Sequence, residues 1–324
     1  MSDESLTLTW GPAADRRRPL ALTPGEDLIG FVGAYLGRAL LFLITATSVL
    51  AVLLILIFVV MRSLPFLNEF GIREFLTSQV WRPTADDPTF GALALIVGSL
   101  YVSIAALVFA VPVGILAAVF LSDIVSWKIR NIAKPVVEIL AAIPSVAYGF
   151  FAVLVLAPWM QRKFGFSTGT NALNASMILA VMALPTIISV AEDAISALGR
   201  DLREASYSLG ATRLETIVKV VLPAAHSGII AAVVLGMMRA IGETMVVWMA
   251  SGNATQIPHP WWDLSQSIRT MTATIAGEMG EAPEGMPHRS ALFAVGVLLL
   301  SMTFILNVVS EYFLTRAKKA AGKS

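Results

Sequence analysis

The chain has 324 residues, of which 56% are hydrophobic and only 14% charged, with a net charge of +1 and a mean hydropathy of +0.76. So little charge cannot cover a water-soluble domain, and the balance describes a multi-span membrane protein. No basic excess marks a nucleic-acid binder, and the lack of cysteine excludes disulfides, thiolate nucleophiles and cysteine metal sites.

A hydrocarbon core about 30 Å thick needs roughly 20 apolar residues of helix to cross it. Six stretches qualify, at about 38–62, 92–121, 136–160, 172–198, 224–250 and 290–314, which predicts an all-α, six-span bundle in a lipid bilayer. Residues 1–37 read as a cytoplasmic tail. The Arg16-Arg17-Arg18 run is followed by polar Thr23 to Asp27, unlike an export signal. The first span begins too late and runs too long for a cleaved leader, so it reads as an anchor. Residues 63–91 form an outer connection punctuated by Pro65, Pro83 and Pro88, with Trp81 expected at the membrane interface. The transmembrane core, 92–314, follows.

Pro112, Pro144 and Pro185 lie inside three consecutive spans, where each removes a backbone donor and bends its helix. Around Pro144, Ser145 and Tyr148 either turn hydroxyls toward a cavity at a break in the third span or serve packing. Glu138 opens that span, where an acid suits a helix N-terminus. Glu192 and Asp193 end the fourth span and are expected to be solvated.

Residues 199–223 are a polar loop between the fourth and fifth spans. Its part Glu204–Pro223, EASYSLGATRLETIVKVVLP, carries Glu204-Ala205, then Gly210 six positions after the Glu, and Leu222-Pro223 at its close. A membrane protein rarely orders such a loop unless something docks there. With the N-terminus inside, fifteen Lys and Arg fall on the inner side, seven on the outer and Arg239 alone within a span. That places 199–223 and the tail 315–324 in the cytoplasm.

The fifth span holds Arg239 and Glu243. Each charge costs roughly 2.5–3.5 kcal/mol at a helix centre on insertion scales, so the pair demands a reason. Their i,i+4 spacing puts them on one face, beside a stripe of Gly228, Ala232, Gly236 and Ala240 that lets another helix approach. One reading has the Arg239 guanidinium meet a passing oxyanion while Glu243 restrains it. The other is a buried salt bridge that fixes helix register. In the outer segment 251–289, Leu264, Ile268, Met271, Ile275 and Met279 recur at helical spacing. They predict an amphipathic helix, flat on the membrane, lining a vestibule or packed over the bundle.

No HExxH, GxSxG or Walker A pattern is present, and His226, His259 and His288 share no metal-ligand spacing. The chain is therefore expected to be no enzyme, with any ATP hydrolysis on another polypeptide.

The 204–223 pattern resembles the coupling loop of ABC-type importer membrane subunits, with Ser206 where that family usually has Ala and Val220 where it usually has Ile. From about Phe75 onward the chain resembles the Pst phosphate-transport permeases. The residues that carry this are FLTSQVWRP with FGAL (75–83, 90–93), EILAAIPSVAYG (138–149), Ala191-Glu192-Asp193-Ala194, REASYSLGATR (203–213) and RAIGETM (239–245). Met245, the EAS form and the long 251–289 segment favour the C-type subunit over the A-type. The resemblance implies a type I importer fold in the bacterial inner membrane, with N- and C-termini cytoplasmic. It also implies an A-type permease as sibling, a dimeric ATP-binding subunit that carries ATP and Mg, and an extracytoplasmic phosphate-binding protein; no cofactor sits on this chain. Arg239 and Glu243 match positions associated with phosphate passage, and Glu204, Ala205, Gly210, Leu222 and Pro223 match the ATPase-contacting loop. Import of another oxyanion, sulfate or molybdate, is the alternative, and a membrane receptor or scaffold without transport a further one.

Overall fold

The structure, a computed structural model, describes residues 24–320; residues 1–23, including Arg16–Arg18, and 321–324 lie outside the described residues. Two units are distinguished, 1–57 and 58–324. Helix α1 is Pro24–Phe70, so the described part of the predicted tail is helical and Pro65 lies within the helix. Within the first unit its apolar side chains are exposed on all sides, from Tyr35 to Ile57, a surface suited to hydrocarbon.

In the second unit, α2 (Ile72–Thr77) leads to a two-stranded antiparallel hairpin, β1 (Trp81–Arg82) and β2 (Thr89–Phe90), with Trp81 opposite Phe90. Trp81 is buried, not interfacial. Its ring packs edge-on to Phe90, and its indole N–H donates to Glu278 Oε2 at 3.0 Å, which satisfies the polar edge that burial would otherwise strand.

The centre is built from α3 (Leu93–Val119), α7 (Ala172–Ser196) and α10 (Leu222–Gly242). Of the membrane-length helices, α7 is the most buried. Hydrocarbon supplies no hydrophobic drive between helices, so close packing must hold them. Small residues allow it: a Cβ on Gly228 would fall 2.2 Å from Ala194 Cβ, and one on Gly236 or Gly114 would fall 2.6 Å from the Ile187 side chain. The stripe on α10 thus seats against α7, as its spacing predicts.

Between α3 and α7 the chain turns a corner. Helix α4 (Trp127–Ala142) meets Ser145–Phe164 at 86°. Pro144 has no N–H to give the carbonyl of Leu140, one helical turn back. The Tyr148 hydroxyl donates to that carbonyl at 2.9 Å and replaces the missing amide. The second limb comprises α5 (Ser145–Phe151), a π-helical stretch (Ala152–Leu156) and α6 (Ala157–Phe164). Glu138 therefore lies inside α4 and does not open a helix. Among the described residues, five helices are long and apolar enough to cross a membrane, and the bent pair brings the number to as many as six.

After α10 come α11 (Met245–Ala250), α12 (Met271–Glu278) and α13 (Pro287–Ala320). The amphipathic helix expected through Leu264 to Met279 is confined to α12. Asp263 accepts from both the amide and the hydroxyl of Ser265, an Asx turn that competes with helix. Fully buried Ile268 instead forms a bridge to Gly252, and the backbone of 264–266 bonds the first amides of α7. The segment packs over the bundle. Glu278 pins it by accepting from Trp81, Arg269 (2.8 Å) and His288 (2.9 Å).

Candidate functional site

The predicted polar loop is helical. Helix α8 is Asp201–Ser208 and α9 is Arg213–Thr216; Arg213 to Gly242 then runs on as one membrane-length helix. A turn separates α8 from α9. Gly210 sits there at φ +84°, its amide bonded to the Tyr207 carbonyl at 2.9 Å and the Ala211 amide to Ser206 at 3.3 Å. This is the left-handed closure that glycine makes without a Cβ penalty. A capping box, Thr212 with Glu215, starts the next helix.

Leu222 and Pro223 do not close a loop. They lie within the continuous helix, directly after a π-helical stretch, Ile217–Val221. Pro223 cannot donate to the carbonyl of Lys219, and the wider register precedes it; the stretch Ala152–Leu156 stands in the same relation to Pro158.

Specific contacts fasten α8 to the bundle. Ser206 is buried, and its hydroxyl bonds that of Thr216 at 2.9 Å, so the serine that departs from the usual alanine has a partner. The Arg203 guanidinium donates to Asp123 Oδ1 at 2.6 Å and to the Ile195 carbonyl at 3.1 Å, tying α8 to the π-helical stretch Phe120–Ile124 that continues α3 and to the end of α7. Arg213 donates to the Asp123 carbonyl from the other side. Outward, Glu204, Ala205 and Leu209 are exposed, Leu209 to 90%.

Glu192 is not solvated. It is 1% exposed and accepts from Arg130, from Lys134 Nζ at 2.8 Å and from Ser196 Oγ at 2.9 Å. Asp193, exposed, takes a second bond from Lys134 at 2.6 Å. The signal in the sequence was the i,i+4 pair Arg130 and Lys134 on one face of amphipathic α4.

Arg239 lies in the last turn of α10 and is exposed, on a face flanking the stripe. Glu243 is past the end of that helix, with extended backbone at ψ 133°, so the two do not share a helical face. They form no ion pair with each other among the described residues. The Glu243 carboxylate instead accepts from the Val246 amide at 3.4 Å, at the start of α11, while its carbonyl accepts from Thr272 at 3.0 Å. A small recess beside it is lined by Ser99, Ser103, Thr270 and Thr272. The sequence reading missed these hydroxyls, although Ser99 and Ser103 are spaced i,i+4 in an otherwise apolar helix. At the corner, Ser145 and Tyr148 are half-buried, with Tyr148 committed to Leu140. Among the described residues no group of three His, Asp or Glu could hold a metal.

Membrane-length apolar helices, one of them broken at a right angle, with an exposed helical knob between two of them, define a multi-span membrane protein. Residues 110–319 match the model of the binding-protein-dependent transport system inner membrane components. A probable ABC transporter permease protein, YqgH, of Bacillus subtilis is 41% identical over 76% of this chain and 78% of its own. The phosphate transport system permease proteins PstC of Mesorhizobium japonicum and Pasteurella multocida are 36% and 32% identical, over 79% and 83% of this chain and 82% and 89% of theirs. The MetNI methionine ABC transporter, in an inward-facing conformation, matches with TM-score 0.54 at 19% identity over 70% of this chain and 97% of its own. A bacterial alginate ABC transporter, solved with an alginate-bound periplasmic protein, matches with TM-score 0.58 at 17% identity over 90% and 96%. These two share the fold, that of type I importer permeases.

The chain belongs to the binding-protein-dependent transport system inner membrane components, and among them to the PstC-like permeases. It is a multi-pass inner membrane permease, the non-catalytic subunit type of an ABC transporter.

Proposed function

We propose that this chain is the C-type permease subunit of an ATP-driven phosphate importer. It forms half of the translocation path beside an A-type permease, receives phosphate from an extracytoplasmic binding protein and is driven by a dimeric ATP-binding subunit. ATP and Mg belong to that subunit. The N- and C-termini and α8 face the cytoplasm, in accord with the Lys and Arg distribution. The observation that carries the coupling role is α8 itself: Arg203 and Ser206 bolt one face to the bundle, while Glu204, Ala205 and Leu209 are presented outward. A partner that grips the exposed face moves the ends of α3 and α7 with it. The two packings of the permease are then biased by the partner's nucleotide state. The kinship to phosphate permeases supports phosphate as the cargo.

Arg239 offers planar paired donors suited to a tetrahedral oxyanion. Exposed and without an ion pair to Glu243, it is free to meet the anion as it passes, and Glu243 nearby keeps the encounter weak enough for release.

The test is reconstitution with the partner chains in liposomes, followed by ATP-dependent entry of radiolabelled phosphate under sulfate competition. Phosphate uptake that sulfate does not displace is expected, with a loss of at least tenfold in Arg239→Gln, about the worth of one charged hydrogen bond. Sulfate or molybdate uptake at equal rate overturns the cargo, and unaltered uptake in the variant overturns the role of Arg239.

A further inference from the structure

Behind α8, at the end of α7, lies a cavity of about 370 Å³ whose lining includes Ser122, Arg130, Ser196, Arg200, Arg203 and Tyr207. Three guanidinium groups line it against a single carboxylate, Asp123. Arg203 is matched to Asp123, and Arg130 to Glu192 and to Ser196 at 2.7 Å. The side chains of Arg200 and Tyr207 make no hydrogen bond or ion pair among the described residues. Both are exposed, and they flank the α8 wall of the cavity. Arg130 is still 32% exposed and retains donors on the opposite wall, in α4. The lining is therefore cationic, hydroxyl-rich and incompletely satisfied.

We propose that this cavity binds a phosphate group, supplied either by free inorganic phosphate or by the headgroup of an anionic phospholipid. A guanidinium fork matches two oxygens of a tetrahedral anion, and a phenol can donate to a third. Trp127 at the cavity, 68% exposed, is the type of residue that settles at a membrane–water boundary, where a headgroup would arrive. The occupant would join Arg200, the N-cap of α8, and Tyr207 within it to Arg130 of α4. It would thus brace α8 from behind, on the side away from Leu209. The site is separate from Arg239 and does not depend on the cargo assigned above.

Hydrogen–deuterium exchange on the full chain in nanodiscs tests this, read at residues 198–208 and 121–130. Phosphatidylcholine discs are compared without addition, with inorganic phosphate against chloride at equal ionic strength, and with phosphatidylglycerol replacing part of the lipid. Slowing of exchange on the order of tenfold is expected in α8 when its brace forms. Slowing by phosphate identifies the free anion, and slowing by phosphatidylglycerol identifies the headgroup. It should vanish in Arg200→Ala with Tyr207→Phe, and in Tyr207→Phe alone it should weaken with helical content by circular dichroism unchanged. Arg239→Gln should leave it intact, which separates this site from the transport path. No slowing in either arm, equal slowing by chloride, or slowing that persists in the double variant overturns the proposal.

Discussion

Replacing Glu192 with Ala tests how the end of α7 is held. A carboxylate that is 1% exposed accepts from Arg130, Lys134 and Ser196, and all three lose it together. Breaking a fully buried ion pair costs about 3–5 kcal/mol because a charge is stranded. Here the cations are not stranded. Arg130 and Lys134 are 32% and 29% exposed, Arg130 keeps Ser196, and Lys134 keeps Asp193 at 2.6 Å. The expected cost therefore falls to about 1–3 kcal/mol. The assay is unfolding of the purified chain in mixed micelles of rising sodium dodecyl sulfate, followed by circular dichroism. A double-mutant cycle with Arg130→Ala should return a coupling of about 1–2 kcal/mol. Loss below about 0.5 kcal/mol for Glu192→Ala, within the range of ordinary surface changes, would show that the cluster does not hold α4 to α7.

Gly210→Val places a β-branched residue at φ +84° where no atom lies within 4 Å of the new Cβ, so the penalty is conformational. It should cost about 1–2 kcal/mol within the α8–α9 turn and reduce co-purification of the ATP-binding subunit; undiminished recovery of that subunit contradicts the coupling role. Tyr148→Phe strips the donor from the Leu140 carbonyl and should lower stability by about 1–2 kcal/mol in the same micelle titration, whereas an unmoved midpoint means that the carbonyl is satisfied by other means. The Ser265 hydroxyl, then Gln266 and the Ser265 amide, hold the Asp263 carboxyl below the usual carboxylate range. Its contribution to the loop is complete above its unfolded pKa and is lost as pH falls through the lowered folded one. Cleavage of 259–266 by pepsin, taken relative to cleavage of an unstructured peptide at the same pH, should accelerate as pH drops below about 4, and Asp263→Asn should remove that dependence.

Hydropathy made the membrane-length helices legible, since a bilayer imposes a minimum apolar length that composition reports directly. Pro144 announced the corner and the four-residue spacing of Gly228 to Ala240 announced the contact with α7. Other features were hidden by distance or by mixed environments. Arg213, Glu215 and Lys219 are polar while Ile217 and Val221 pack beside Ile195, so one helix crosses from wet to dry and reads as a loop followed by a span. Glu192 finds its cations on α4, about sixty positions away, and no local pattern shows that a carboxylate at a span end is buried. The helical face assumed for Arg239 and Glu243 failed because Gly242, a weak helix former, stands between them and the helix stops there. In 251–289, apolar residues recur at helical spacing, yet Asp263 is a turn former and Thr270 an N-cap, so only α12 forms.

The corner at Pro144 carries its own fixing. Donor and acceptor come from the same short stretch, Leu140 to Tyr148, so the right angle carries a lock of its own beside the packing around it. Whatever rearrangement the surrounding helices undergo, this elbow can travel through it as a preset joint, and the shape change of a working cycle must be absorbed by other parts of the chain.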